Sequence, residues 1–282
     1  MSHRQIAINN QQSAIRKHYA LPAEHGAWAM LLGPFVAGLG LAWRLDGAVP
    51  WALLGMLLLF LARQPMLILF KALSGRRPRS DVAPASIWLL IYGVLGLIPL
   101  LVLVAQDRAA LFWLILPALP PLAWQLWLVT RRAERQMSVE LAGSGALALA
   151  APAAYFAATG RYDSTALAAW LLCWAQSAAA IVYVYLRLEQ RRLTTMPPRP
   201  QQWAMGRRAV LYHCFNLLAS IAMSILGVLP PLVPLAFAVM LAEALRGTFR
   251  PAVGVKPQFL GIFQIGVTAV FVIFLVLAYR VS

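Results

Sequence analysis

The sequence predicts an all-α membrane protein, a bundle of nine transmembrane helices, on three observations. The chain of 282 residues is 61% hydrophobic with a mean hydropathy of +0.72. Its charged residues, 12% of the total, gather in short segments between long apolar runs. Those segments alternate, neutral then basic, along the chain. The first observation takes the chain far from the usual soluble composition. The second leaves runs long enough to cross about 30 Å of hydrocarbon. The third tests how many runs there are.

The spans are read at 26–43, 51–72, 87–105, 110–130, 139–158, 165–186, 209–227, 230–246 and 258–279. Before them, residues 1–23 are polar and lack the apolar stretch of a signal peptide, so they are expected to form a cytoplasmic segment. Residues 24–282 are read as a single transmembrane domain. Span one opens with Glu24 and His25, where the helix dipole favours an anion; Gly26 permits close approach and Trp28 suits the membrane interface. Span two holds Arg63, Gln64 and Pro65 well before its end at Lys71. Pro65 removes a donor to Leu61 and predicts a kink there. Span five opens on Glu140, span six closes on Arg187, span seven opens at His213, and Glu243 closes span eight. The split between spans seven and eight rests on "GVLPPLVP", because proline-rich turns end helices.

Charge supports the count. The first, third and fifth loops hold Arg44/Asp46, Asp107/Arg108 and Arg161/Asp163, and the seventh holds no charge, so all are neutral. The second, fourth, sixth and eighth are each rich in arginine, as in "KALSGRRPRS" and "RRAERQ". The positive-inside rule then places the N-terminus and every even loop in the cytoplasm, and the C-terminus outside. A net charge of +15 would suggest nucleic acid in a soluble protein. In these loops it indicates orientation and contact with anionic phospholipids instead, and no nucleic-acid partner is expected. Cys173 and Cys214 stand isolated in apolar runs, without the spacing of a disulfide or metal site.

A shift of 116 positions lays Glu24 on Glu140, Lys71 on Arg187 and Arg76 on Arg192, each pair at equivalent helix ends. This suggests two four-helix pseudo-repeats, 24–130 and 140–246, followed by a ninth helix at 258–279. The polar residues inside the spans gather toward the cytoplasmic half. Ionisable groups in lipid are costly and normally point into the bundle, where they pair. Gln64 and Lys71 share one face of span two beside Arg63, while Gln176, Tyr183 and Arg187 lie on one stripe of span six. Two such stripes would bind an anionic head group. The expected ligand-binding set is Arg63, Gln64, Lys71, Arg76, Arg77, Gln176, Tyr183, Arg187, Glu189 and His213, with Glu24, His25 and Glu140 as candidate proton carriers. Arg76, Arg77, Arg79, Arg191 and Arg192, at helix ends, are accounted for by topology and lipid head groups, and His25 and His213 by the interface. A haem ligated by that histidine pair has little support beyond the two residues themselves.

The strings "EHGAWAMLLGPFVAGL", "LFLARQPMLILFK", "AERQMSVELAG", "IVYVYLRLEQRR", "LYH" and "KPQFLGIFQIG" together resemble the YwiC-like family of bacterial membrane proteins. Gln264 stands where that resemblance leads one to expect an acid. The architecture also resembles the UbiA superfamily of intramembrane prenyltransferases. That resemblance implies nine helices and substrate motifs at the cytoplasmic ends of spans two and six. It also implies Asp-rich magnesium sites, whereas here "FKALSGRRPRS" and "YLRLEQRR" have Glu189 as their only acid, with Asp81 just beyond. A magnesium-diphosphate site is therefore not expected, and no metal ligands are assigned. The leading expectation is an inner-membrane protein whose cationic cavity binds an amphipathic isoprenoid-type or quinone-type molecule, with or without transferase activity. Two alternatives stand beside it: an assembly or haem-delivery factor partnering a membrane respiratory enzyme, and a small-anion transporter.

Overall fold

The computed structural model of the chain describes residues 18–22, 25–131 and 137–281, with backbone alone at His25, Val129, Thr130 and Pro257. Helix accounts for 83% of the described residues and none lies in a strand, which settles the all-α class. The helices are α1 (His25–Ala42), α2 (Ala48–Leu73), α3 (Val82–Ala105), α4 (Ile115–Thr130), α5 (Met137–Ala148), α6 (Ala150–Thr159), α7 (Ser164–Gln190), α8 (Arg199–Ile225), α9 (Val233–Phe249) and α10 (Pro257–Val281). Short 3₁₀ segments, Arg79–Asp81 and Ala109–Leu114, precede α3 and α4.

Among the described residues seven rods are long and apolar enough to cross a membrane, with α5 and α6 counted as one. The other two of the nine expected spans are shorter: α1 is apolar over Gly26–Ala42, and α9 has 17 residues. Length and composition therefore support a multi-span membrane protein. Proline sets several boundaries. Pro152 has no N–H for the carbonyl of Ala148, and the α5–α6 rod breaks at that point. Pro117 likewise cannot donate to Trp113, and 3₁₀ geometry before it gives way to α4. Pro65, by contrast, is buried within α2, which runs on through it to Leu73.

By contact, the chain divides into two compact units, one of Asp46–Val139 with the described residues up to His25, the other of Gly26–Leu45 with Glu140–Ser282. In the first, α2 and α3 form an antiparallel hairpin. The turn after α2 places Gly75 at φ +72°, so that Arg76 N–H reaches the Lys71 carbonyl at 2.8 Å and closes the helix end. Asp107 does the same after α3 at φ 57°, a left-handed position that Asp tolerates, with Arg108 N–H on the Leu103 carbonyl. Most of the large apolar side chains of α3, such as Leu90 and Leu101, are exposed, as expected of a lipid-facing surface.

In the second unit α6 is the core helix, and all its residues from Ala150 to Ala158 are buried. Its six alanines and a proline keep it thin, so neighbouring backbones come close. A Cβ at Gly38 of α1 would collide with the carbonyl of Ala151 on α6, and one at Gly33 would stand 2.9 Å from Thr268 of α10. Larger residues, among them Phe237, Phe271 and Leu275, fill the space between α9 and α10. Asp163 caps α7 by accepting from the N–H groups of Thr165 and Ala166 at 3.0 and 3.2 Å.

Candidate functional site

A half-open cleft of about 380 Å³ lies in the second unit, between the C-terminal ends of α7 and α9 and the first turns of α10. Val255, Phe259, Leu260 and Phe263 form its apolar wall, and Tyr183, Arg187, Arg246 and Gln264 its polar lining. The arginines are there for a local reason. A helix C-terminus leaves carbonyls without partners and carries partial negative charge, which a guanidinium satisfies. Arg187 Nη1 donates to the carbonyls of Gly247 and Arg250 and to Gln190 Oε1, each at 2.8 Å. Gln190, which has no exposed surface, donates to the Gly247 carbonyl at 3.1 Å and accepts from Ala252 N–H at 3.3 Å. Position 247 must be glycine for this packing, because a Cβ would enter the ring of Tyr183.

Glu243 organises the second arginine. Its carboxylate accepts from Tyr183 OH at 2.6 Å and from Arg246 through Nε at 2.7 Å and Nη2 at 3.1 Å. The Glu243 side chain is only 13% exposed, whereas that of Arg246 is 50% exposed, so the pair presents its cationic member outward. The Arg246 guanidinium also lies 5.1 Å from the Phe263 ring centroid, which ties it to the apolar wall. Behind the cleft, His213 meets Tyr183 edge-on with ring centroids 6.3 Å apart, and its Nδ1 is 2.9 Å from the carbonyl of Ala209.

Of the site residues expected on the second unit, Tyr183, Arg187 and His213 come together here. Gln176 is buried and donates to Thr268 Oγ1 at 3.3 Å, away from the cleft lining. Glu189 is exposed at the end of α7. Glu140 is exposed and accepts from Tyr185 OH at 2.8 Å. His25 begins α1, its side chain not described, and Glu24 lies outside the described residues.

The expected residues of the first unit form a different arrangement. Arg63 Nε donates to Gln125 Oε1 of α4 at 3.2 Å. Gln64 Nε2 donates to the His18 carbonyl at 3.2 Å. Arg77 bridges Asp81 at 3.2 Å and His18 Nε2 at 2.8 Å, and Tyr19 OH donates to Asp81 Oδ1 at 2.7 Å. Burial, and then the bond to the Asp81 carboxylate, push the Tyr19 hydroxyl's pKa up. The Tyr19 ring packs with Ile68 and Ala85, and Tyr92 OH donates to the Ala20 carbonyl at 2.7 Å. Polar side chains of α2 and α3 therefore dock residues 18–20 onto the hairpin. Lys71 and Arg76 are half-buried nearby in sequence. Among the described residues no three His, Cys, Asp or Glu side chains gather as metal ligands would.

The family model of YwiC-like proteins matches residues 21–155. The chain is 30% identical over 126 residues to the uncharacterized protein YwiC of Bacillus subtilis (strain 168), a stretch covering 44% of this chain and 48% of that one. The chain is thus similar to YwiC-like proteins over residues 21–155. It spans about half the length of its YwiC relative. No solved structure matches. The YwiC-like stretch runs from α1 through most of α6 and holds Arg63, Gln64, Lys71, Arg76, Arg77 and Glu140. The cleft, from Tyr183 to Gln264, lies wholly beyond the YwiC-like stretch, as do the strings "IVYVYLRLEQRR", "LYH" and "KPQFLGIFQIG". Three of its polar residues were not in the expected set: Glu243, Arg246 and Gln264. A signal was present in the sequence, since Glu243 and Arg246 are an i, i+3 pair of opposite charge in an otherwise apolar helix.

Proposed function

We propose that this is a bacterial inner-membrane protein that binds an amphipathic isoprenoid-type or quinone-type molecule in the cleft of its second unit, with the molecule's head toward the cytoplasm. One observation carries the reading: a cleft of about 380 Å³ joins an apolar wall to a polar end of two arginines, a tyrosine and an amide. Small-molecule sites have this composition and run from ~300 to 1,000 Å³. The cleft opens beside Arg191, Arg250 and Lys256, in loops that the charge alternation assigns to the cytoplasm. With 17 residues α9 would reach about 25 Å at 1.5 Å per residue, the lower limit for a span, and α1 is close to it. Counting both gives nine spans and keeps the UbiA-like layout as the architecture proposed. Exposed Arg192, Arg199, Arg207 and Arg208 would meet anionic phospholipid head groups.

Mass spectrometry of the organic extract from detergent-purified protein tests the reading, with Leu260→Trp as the variant that fills the cleft. A stoichiometric isoprenoid or quinone, present with the native protein and lost from a Leu260→Trp variant of native helix content, is the expected result. Bulk phospholipid alone, in equal amount from both proteins, would overturn it.

A further inference from the structure

The charges around the cleft narrow the class of head group. On α7 the charged lining residue is Arg187, and on α9 it is Arg246 with Glu243 bound to it. The lining that α10 contributes is neutral, ending in the amide of Gln264. Arg250 and Lys256 stand exposed at the rim, where solvent and salt screen them. Two guanidinium groups and one carboxylate leave the cleft one positive charge in excess. A neutral head would leave that excess charge without a counter-ion. A diphosphate would bring about three negative charges to a net charge of one, and among the described residues no cluster of metal ligands stands beside the cleft to hold a balancing cation.

The geometry also favours one kind of anion. Arg246 already holds a carboxylate in two-point fashion, through Nε and Nη2 on Glu243, and still has half its surface exposed. Arg187 uses Nη1 for all three of its hydrogen bonds among the described residues, which leaves the Nε and Nη2 hydrogens for a further acceptor. Planar, paired N–H groups match planar, paired oxygens. We infer that the cleft takes an amphipathic carboxylic acid: a single apolar chain along Phe259 and Phe263, its carboxylate between Arg187 and Arg246. This rests on the proposed function and narrows it: of the amphiphiles proposed for the cleft, it selects an isoprenoid-type apolar chain with a carboxylate head over a quinone or a diphosphate.

The probe is cis-parinaric acid, whose fluorescence rises in an apolar site, with its methyl ester as the neutral control. Both are titrated onto the detergent-purified chain, and binding is taken as the excess over Leu260→Trp. The acid should bind at least about 10-fold more tightly than the ester, as expected for a charge-assisted pair. Geranyl diphosphate and a short-chain quinone should compete poorly. Arg246→Gln should bring acid and ester within about 3-fold of each other. Because that change leaves Glu243 without its cation, Glu243→Gln provides a second variant. With the carboxylate gone and both arginines kept, the acid should still bind and the diphosphate should become a better competitor. Equal binding of acid and ester overturns the inference, as does acid binding unchanged in Arg246→Gln. If quinone or diphosphate occupies the cleft and the acid does not, the inference fails while the proposed function stands. If no amphiphile exceeds the Leu260→Trp baseline, both fall.

Discussion

Gly38 and Gly93 sit inside apolar helices, yet a methyl group would meet opposite surroundings at the two positions. At Gly38 the added carbon runs into the backbone of Ala151, which no rotamer change can relieve. At Gly93 it meets nothing within 4 Å. Gly38→Ala should therefore destabilise the second unit by about 1–3 kcal/mol through overpacking. Gly93→Ala should leave stability unchanged or raise it by about 0.5–1 kcal/mol, since glycine is the poorer helix former. Thermal unfolding of the two variants in the same detergent is the measurement. Equal melting temperatures would show that α1 does not press on α6 as closely as the geometry indicates. The same reasoning makes Gly247 a site residue although it has no side chain, because its bareness seats Tyr183 against Glu243.

Among the elements, α7 has the most fully specified start. Asp163 accepts two backbone N–H groups through Oδ1 and the Tyr155 hydroxyl through Oδ2 at 2.8 Å, so one residue caps α7 and ties it to α6. Asp163→Ala should lower stability by about 1–2 kcal/mol, while Asp163→Asn, which keeps a capping oxygen, should lose much less. A melting temperature for Asp163→Ala equal to that of Asp163→Asn would contradict this. The existence of the helices was legible in the sequence, because lipid demands long apolar runs and charge cannot lie within them at random. Their ends were less so. A span read at 209–227 proves to be the later part of a helix that starts at Arg199, behind Pro198. Leaving the hydrocarbon changes which side chains are favourable without interrupting the backbone hydrogen bonds. Conversely, the α5–α6 rod breaks inside an apolar run, at the carbonyl that Pro152 cannot serve. Hydropathy is blind to such a break.

For the molecule as a whole, the alternation of basic and neutral loops is the strongest regularity, and it makes a direct prediction. Reporters fused after Gly75 and at the C-terminus should report opposite sides, cytoplasm for the first and exterior for the second. Both on one side would mean that α9 does not cross. The candidate site was only partly legible at this scale. Tyr183 and Arg187 stood out as a polar stripe on one helix, but their partners Glu243 and Gly247 lie 60 positions further along the chain. Spacing within a helix cannot reveal that pairing. On α2, Arg63 and Gln64 drew attention as costly groups in lipid, and their partners turned out to be Gln125 and the backbone of His18. The cost was real, and docking of neighbouring segments met it. Gln190 bears most on how the cleft would behave. Its amide joins the end of α7, the end of α9 and the segment after it, with no surface exposed. The floor of the cleft is thus preorganised, and a ligand entering it gives up chiefly its own freedom. Rival ligands should then differ more in residence time than in rate of capture.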